Sequence, residues 1–229
     1  MYNCPYMSHM CEFSTQNNDF YRQPQRPEAP FSYIRLLHAV PDAPAVDAYV
    51  NDRLVARNLA YRNFTSYIKL PIGSYDIKLF PSGRKTSPVI STKLVVPRQS
   101  IFTVAVIGTL KDISIYPILE PQVAKMPGNA FVRFIHLSPN TPNVDITLPT
   151  GQKLFSDVKY KDITPYIPVK PSTLTIEARL AGTDNVILIV PNIRLLPNRF
   201  YSIYAIGLLN GKPPLQVLIP LDGNTYLKF

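Results

Sequence analysis

From residue 31 onward, short stretches rich in Val, Ile, Tyr, Phe and Thr recur every 8 to 15 residues, bounded by Pro, Gly, Asn and Asp. That spacing, with apolar and polar positions alternating at period two, is the pattern of an all-β sandwich or barrel. It predicts strands near 32–38, 45–50, 64–70, 74–80, 89–95, 101–108 and 112–118. A second set follows near 130–136, 143–148, 164–169, 172–180, 186–190, 199–208 and 214–219. Pro71-Ile72-Gly73-Ser74, Pro81-Ser82-Gly83-Arg84 and Leu148-Pro149-Thr150-Gly151-Gln152 carry the chemistry of turns between them. Twenty-four prolines exclude long helices, because each one inside a helix costs about 3 kcal/mol.

One strand in each set is apolar on both faces. Phe102, Val104 and Val106 fall on one side and Ile101, Thr103, Ala105 and Ile107 on the other. A strand of this kind belongs in the middle of a structure, part of its surface covered by a neighbouring unit.

The two sets are copies of one another. His38-Ala39-Val40-Pro41-Asp42-Ala43-Pro44-Ala45-Val46-Asp47 returns as His136-Leu137-Ser138-Pro139-Asn140-Thr141-Pro142-Asn143-Val144-Asp145, with His, both Pro, Val and Asp in register. Each segment follows an alternating strand, Ser32–Leu37 in one and Ala130–Ile135 in the other. Tyr67-Ile68 matches Tyr166-Ile167, and Ile101–Gly108 matches Phe200–Gly207. A period near 100 residues is the size of a small domain with its own core, not of a solenoid unit. The expected organisation is therefore all-β, with two tandem immunoglobulin-like antiparallel β-sandwiches of seven strands each, over 31–122 and 123–229. A flexible N-terminal arm, residues 1–30, precedes them; it is rich in Asn, Gln, Ser, Pro, Tyr and Met and ends in the extended run Gln23–Pro30.

Composition narrows the function. Net charge is +9, but residues 31–122 and 123–229 each hold 11 Lys+Arg against 6 Asp+Glu, so the excess is even. An even excess forms no basic stripe and points to anionic surface polymers in general, not to specific nucleic-acid recognition. No apolar run approaches the roughly 18 residues of a membrane span. Met1–Tyr6 has neither a basic nor an apolar signal region, which leads to an expectation of synthesis in the cytoplasm without a signal peptide.

The motif His-x2-Pro-x2-Pro-x2-Asp, followed by a Tyr and a strand ending in Gly, occurs as His38, Pro41, Pro44, Asp47, Tyr67 and Gly108, then as His136, Pro139, Pro142, Asp145, Tyr166 and Gly207. On these residues the chain resembles the DUF4397 family of bacterial β-sandwich domains over about residues 31–220. The resemblance implies a fold and an association with the bacterial surface or envelope, and no reaction. Many similar proteins carry an export signal, from which this chain departs.

Two pairs of residues invite a catalytic reading, His38 with Asp47 and His136 with Asp145, as a base and its orienting carboxylate. No Ser or Cys nucleophile motif accompanies them, so all four residues are expected to brace the Pro-rich loop, and no catalytic residue is assigned. Two ligands per copy fall short of a zinc site, as does the three-ligand set Cys4, His9 and Cys11, so neither metal nor cofactor is expected.

The arm holds the sharper chemistry. Cys4 and Cys11 are the only thiols, candidates for cross-links between chains, and about 30 extended residues reach ~100 Å. Tyr2, Tyr6, Phe13, Phe20 and Tyr21 lie among polar residues, the pattern of a segment that adds as a strand to a neighbour's sheet edge. The expected function is thus a non-enzymatic structural protein that self-assembles through its arm into a surface layer, spore coat, exosporium or spore-appendage fibre. Its partners would be itself, other spore or envelope proteins, or anionic polymers. The alternative is a carbohydrate- or ligand-binding adhesion module of the cell or spore surface, with Tyr49, Tyr61, Tyr67, Tyr160 and Tyr166 as stacking surfaces.

Overall fold

A computed structural model describes residues 30–124 and 126–229. The first copy runs through β1 (Phe31–His38), β2 (Val46–Val50), β3 (Arg53–Leu59), β4 (Ile68–Pro71), β5 (Gly73–Pro81), β6 (Ile90–Val96), β7 (Ile101–Thr109) and β8 (Asp112–Leu119). The second repeats the order as β9 (Ala130–His136), β10 (Val144–Thr147), β11 (Lys153–Val158), β12 (Ile167–Val169), β13 (Ser172–Leu180), β14 (Val186–Leu195), β15 (Phe200–Ile206) and β16 (Gln216–Leu218). The fold is all-β: each copy is a sandwich of two four-stranded sheets, β4-β1-β7-β8 over β3-β2-β5-β6, and β12-β9-β15-β16 over β11-β10-β13-β14.

Two features depart from the sequence reading. Each copy has eight strands instead of seven, the added ones being β3 and β11. β3 follows a tight hairpin in which both Asn51 and Asp52 take positive φ (46° and 61°), the geometry of a two-residue turn that matches strand twist. Its own pattern, Arg53-Leu54-Val55-Ala56-Arg57-Asn58-Leu59, does not alternate cleanly because a bulge interrupts the pairing with β2. The second departure is that the sandwiches are not purely antiparallel. β1 pairs in parallel with β7, Leu36 opposite Val104, and β9 with β15, Phe134 opposite Ile203. The chain leaves β1, builds the outer sheet and returns, so its first and seventh strands run the same way.

Each sandwich encloses its own apolar core. Ile34, Leu36, Phe102, Val104 and Val106 meet Val46, Ala48, Ile77 and Leu79 in the first copy. Phe134, Ile203 and Ala205 meet Val144, Ile146, Ile176 and Ile193 in the second. The opposite face of the same strands makes a third core, where Leu37, Ala105, Ile107 and Ile118 pack on Ile135, Leu137, Tyr204 and Ile206. The two inner sheets therefore lie face to face, giving four layers with the β2 and β10 sheets outermost. Fully buried Leu and Ile side chains contribute roughly 1.5–3 kcal/mol each. This apolar seam accordingly outweighs the charged groups beside it, whose desolvation largely cancels their attraction.

Candidate functional site

The motif histidines are completely buried, and both ring nitrogens of each are occupied. His38 Nε2 donates to the Pro44 carbonyl (3.0 Å) while Nδ1 accepts from the Val40 amide (3.3 Å). His136 repeats this with the Pro142 carbonyl and the Ser138 amide, both at 3.3 Å. Burial holds both imidazoles below the usual histidine range, so the neutral ring is the working form.

Asp47 and Asp145 do not contact these rings. Asp47 accepts from the amides of Asn58 (2.7 Å) and Gly83 (3.0 Å) and from the Ser82 hydroxyl (3.1 Å). Those bonds, the Asn58 amide foremost, hold its carboxyl below the ordinary range. Asp145 accepts from the amides of Asp157 (2.8 Å) and Gly182 (3.1 Å) and from Lys153 Nζ (2.7 Å). Burial pushes Asp145 upward, and the Lys153 and amide bonds more than reverse it. Each Asp ties the positive-φ residue of a bulged strand, Asn58 (51°) or Asp157 (51°), to a Gly turn, Gly83 (75°) or Gly182 (73°). The His and the Asp thus anchor different loops, and no base–carboxylate pair exists.

A buried polar network, absent from the reading of the sequence, crosses the seam between the copies. Arg35 of β1 and Arg133 of β9 occupy the same position of the repeat, and both are buried. Arg35 bonds Thr103 Oγ1 (2.8 Å), the Leu221 carbonyl (3.1 Å) and Asp222 Oδ1 (2.9 Å). Arg133 bonds the equivalent Ser202 (2.7 Å) and reaches back to the Leu119 carbonyl (2.5 Å). Each arginine also lies over a tyrosine ring, Arg35 on Tyr67 (4.7 Å) and Arg133 on Tyr166 (4.6 Å). Those hydroxyls donate to Glu120 and to Asp222 respectively. Reciprocal bonds of this kind are what a pseudo-twofold relation between the copies produces. A signal for it was present in the sequence: a cation at one register position of an otherwise apolar strand, in both copies, Ile34-Arg35-Leu36 and Val132-Arg133-Phe134.

Four of the five candidate stacking tyrosines lie at the seam between the copies. Tyr67 and Tyr166 are committed to the polar network, and Tyr61 and Tyr160 pack against the interface core. Tyr49 lines an open cleft, of about 320 Å³, on the outer sheet of the first copy. Asp47, Arg57, Asn58, Arg84 and Lys85 share that cleft, with Lys85 Nζ 4.6 Å from the Tyr49 ring centre. A larger opening of about 730 Å³ lies between the copies, lined by Arg98, Ile101, Phe200, Lys228 and Phe229 among others. No group of three or more His, Cys, Asp or Glu able to hold a metal ion occurs among the described residues. The arm candidates Cys4, Cys11, Tyr2, Tyr6, Phe13, Phe20 and Tyr21 lie outside the described residues.

No curated protein matches the chain. Two solved structures align over most of its length with little superposition. A streptococcal virulence factor, described for its alpha-glucan binding, is 12% identical, with 86% of this chain and 100% of that one covered, at a TM-score of 0.25. A putative cell adhesion protein from Bacteroides ovatus ATCC 8483 is 10% identical, with 86% and 98% covered, at a TM-score of 0.24. At those scores neither bears on function. A family model matches residues 32–147, just over half of the chain, from β1 through the whole first copy to the end of β10. The chain belongs to the family described as a domain of unknown function, DUF4397.

Proposed function

We propose that the protein is a non-enzymatic binding module of the cell or spore surface that engages a carbohydrate or similar ligand through its outer sheets. The observation that carries this reading is the cleft at Tyr49. An aromatic ring there stands beside guanidinium, amide and hydroxyl groups at the mouth of a rigid, twice-braced turn, and such a combination suits an oriented polar ligand. The inner sheets are consumed by the seam between the copies, which leaves the outer ones for partners. The histidines support a non-catalytic role, since neither has a free nitrogen to move a proton. A glycan array probed with the full chain and with Tyr49→Ala tests the reading. Binding that disappears in the variant supports it, and an array with no bound glycan removes it.

A second reading, self-assembly through the N-terminal arm, is favoured by a groove of about 510 Å³ between the free edges of β3 and β4. Val50, Leu54, Val55, Ile68, Leu70 and Tyr75 supply its apolar lining, a chemistry suited to the aromatic side chains of an added strand. The arm joins the body beside it, where Phe31 pairs with Pro71 and the Pro30 carbonyl accepts from the Ile72 amide (3.1 Å). Deleting residues 1–29, or replacing Cys4 and Cys11 with Ser, should remove assemblies from electron micrographs and ladders from non-reducing gels. Unchanged assemblies in both variants would end this reading.

A further inference from the structure

The duplication supplies an internal comparison for the Tyr49 cleft. The backbone bracing of the turn beneath it is shared by both copies: Asp47 and Asp145 accept from the amides of Asn58 and Asp157 and of Gly83 and Gly182 at 2.7–3.1 Å, with the Ser82 hydroxyl added in the first copy and the Lys153 ammonium in the second. The side chains above that turn differ completely. Tyr49, Arg57, Arg84 and Lys85 correspond to Thr147, Ser156, Thr183 and Asp184, and Lys78 and Phe80 correspond to Glu177 and Arg179. In the second copy the one cation of this set, Arg179, is used up by Glu177 (2.7 Å) and Asp184 (3.0 Å). In the first copy Arg57, Arg84 and Lys85 are exposed, and among the described residues none of them makes an ion pair. The second copy folds the same turn without them, so the three cations are not required by the fold.

They converge on one small opening whose lining holds a single carboxylate, Asp47, with Oδ1 bonded by Asn58 and Ser82, Oδ2 by Gly83, and the charge of Arg57 acting on it. Three cations over one such carboxylate leave the cleft net positive. Two guanidinium forks and an ammonium beside an aromatic ring form a receptor for a carboxylate or phosphate carried on a ring-bearing ligand. Resting on the binding-module reading above, we propose that the first-copy cleft recognises the anionic groups of an acidic polysaccharide, and that the corresponding face of the second copy does not.

Calorimetric titration of the full chain with polygalacturonate, inorganic polyphosphate and neutral dextran tests this. The R57S/R84T/K85S variant should lose affinity for an anionic polymer by about tenfold or more, since three charge-assisted contacts go with it. A charge-matched control, K159S/K170S/R194S, removes three exposed cations elsewhere and should leave affinity within about twofold. Polygalacturonate binding stronger than polyphosphate binding assigns the site to carboxylated sugars; the reverse assigns it to phosphate-bearing ones. Equal losses in the two triple variants would reduce the effect to overall charge and overturn the proposal. Dextran binding that depends on Tyr49 but not on the three cations would also overturn it while leaving the module reading intact. Binding to none of the three polymers, with an empty glycan array, would remove both.

Discussion

Arg35 of the first copy meets Asp222 of the second 187 positions later, its Nη2 2.9 Å from the carboxylate Oδ1 at the buried seam between the sandwiches. The same carboxylate takes hydrogen bonds from Tyr166 (2.7 Å) and Ser202 (2.5 Å), and Arg133 Nε lies 4.0 Å away. One acid thus sits between two buried cations, one from each copy. Burial works against the Arg35 charge, but the oxygens of Tyr204, Tyr67, Asp222 and Glu120 more than compensate and keep it protonated.

Asp222→Ala should therefore be far more costly than its size implies. It leaves the Arg35 guanidinium, a phenol and a hydroxyl without their shared acceptor and Arg133 without a nearby countercharge, and breaking a buried pair from one side costs about 3–5 kcal/mol. Urea denaturation should show the loss as a lower midpoint. It should also split unfolding of the two copies into separate transitions, because the lost contacts join them.

Glu120 sets a pH dependence of unusual sign. Burial, then the neighbouring Asp222, raises its pKa to about 7, against the pull of Arg35, Tyr67 and Arg133. The folded chain then holds a proton that the unfolded chain releases near 4.5, so stability from this group is full below pH 4.5 and falls as pH rises to about 7. Subtracting the stability–pH profile of Glu120→Gln from that of the wild type should isolate this decline over that window. A flat difference would contradict the assignment.

The histidines act in the opposite direction. Their folded pKa values are lowered from 6.5 by burial, so the unfolded chain takes up protons first, and stability is complete above pH 6.5 and lost as pH falls below it. Replacing His38 with Ala should remove its share of that acid dependence and leave the part due to His136. It should also cost roughly 1–3 kcal/mol at pH 7.5, because the Pro44 carbonyl and Val40 amide lose their partner. Thermal denaturation above and below pH 6.5 separates the two effects.

Gly108 and Gly207 end the central strands with φ of 99° and 90°. A Cβ at Gly108 would stand 2.0 Å from the Asp112 carbonyl oxygen, and one at Gly207 2.2 Å from that of Pro214. Alanine at either position should lower stability by about 2 kcal/mol or more, since strain and a backbone clash combine. At Gly83, φ is 75° but nothing lies within 4 Å, and alanine should cost nearer 1 kcal/mol. Denaturation midpoints of the three variants give the ranking.

The alternation of β1 and β7, the paired motifs and the turn residues made the all-β class, the duplication and most strands legible, because these depend on local period and on backbone preferences at Pro and Gly. β3 and β11 were not, since a bulge stapled by Asp47 or Asp145 from another strand spoils their alternation. The sequence likewise exposed the two-faced apolar character of Phe102–Ile107, but not what covers its second face. Only the tertiary structure decided that Arg35 and Arg133 are buried partners of Asp222, that Tyr67 and Tyr166 join the same network, and that Tyr49 lines a basic cleft. Those outcomes depend on pairings between residues 35 to 195 positions apart, where burial and charge are set by which sheet faces which, and no local pattern carries that information.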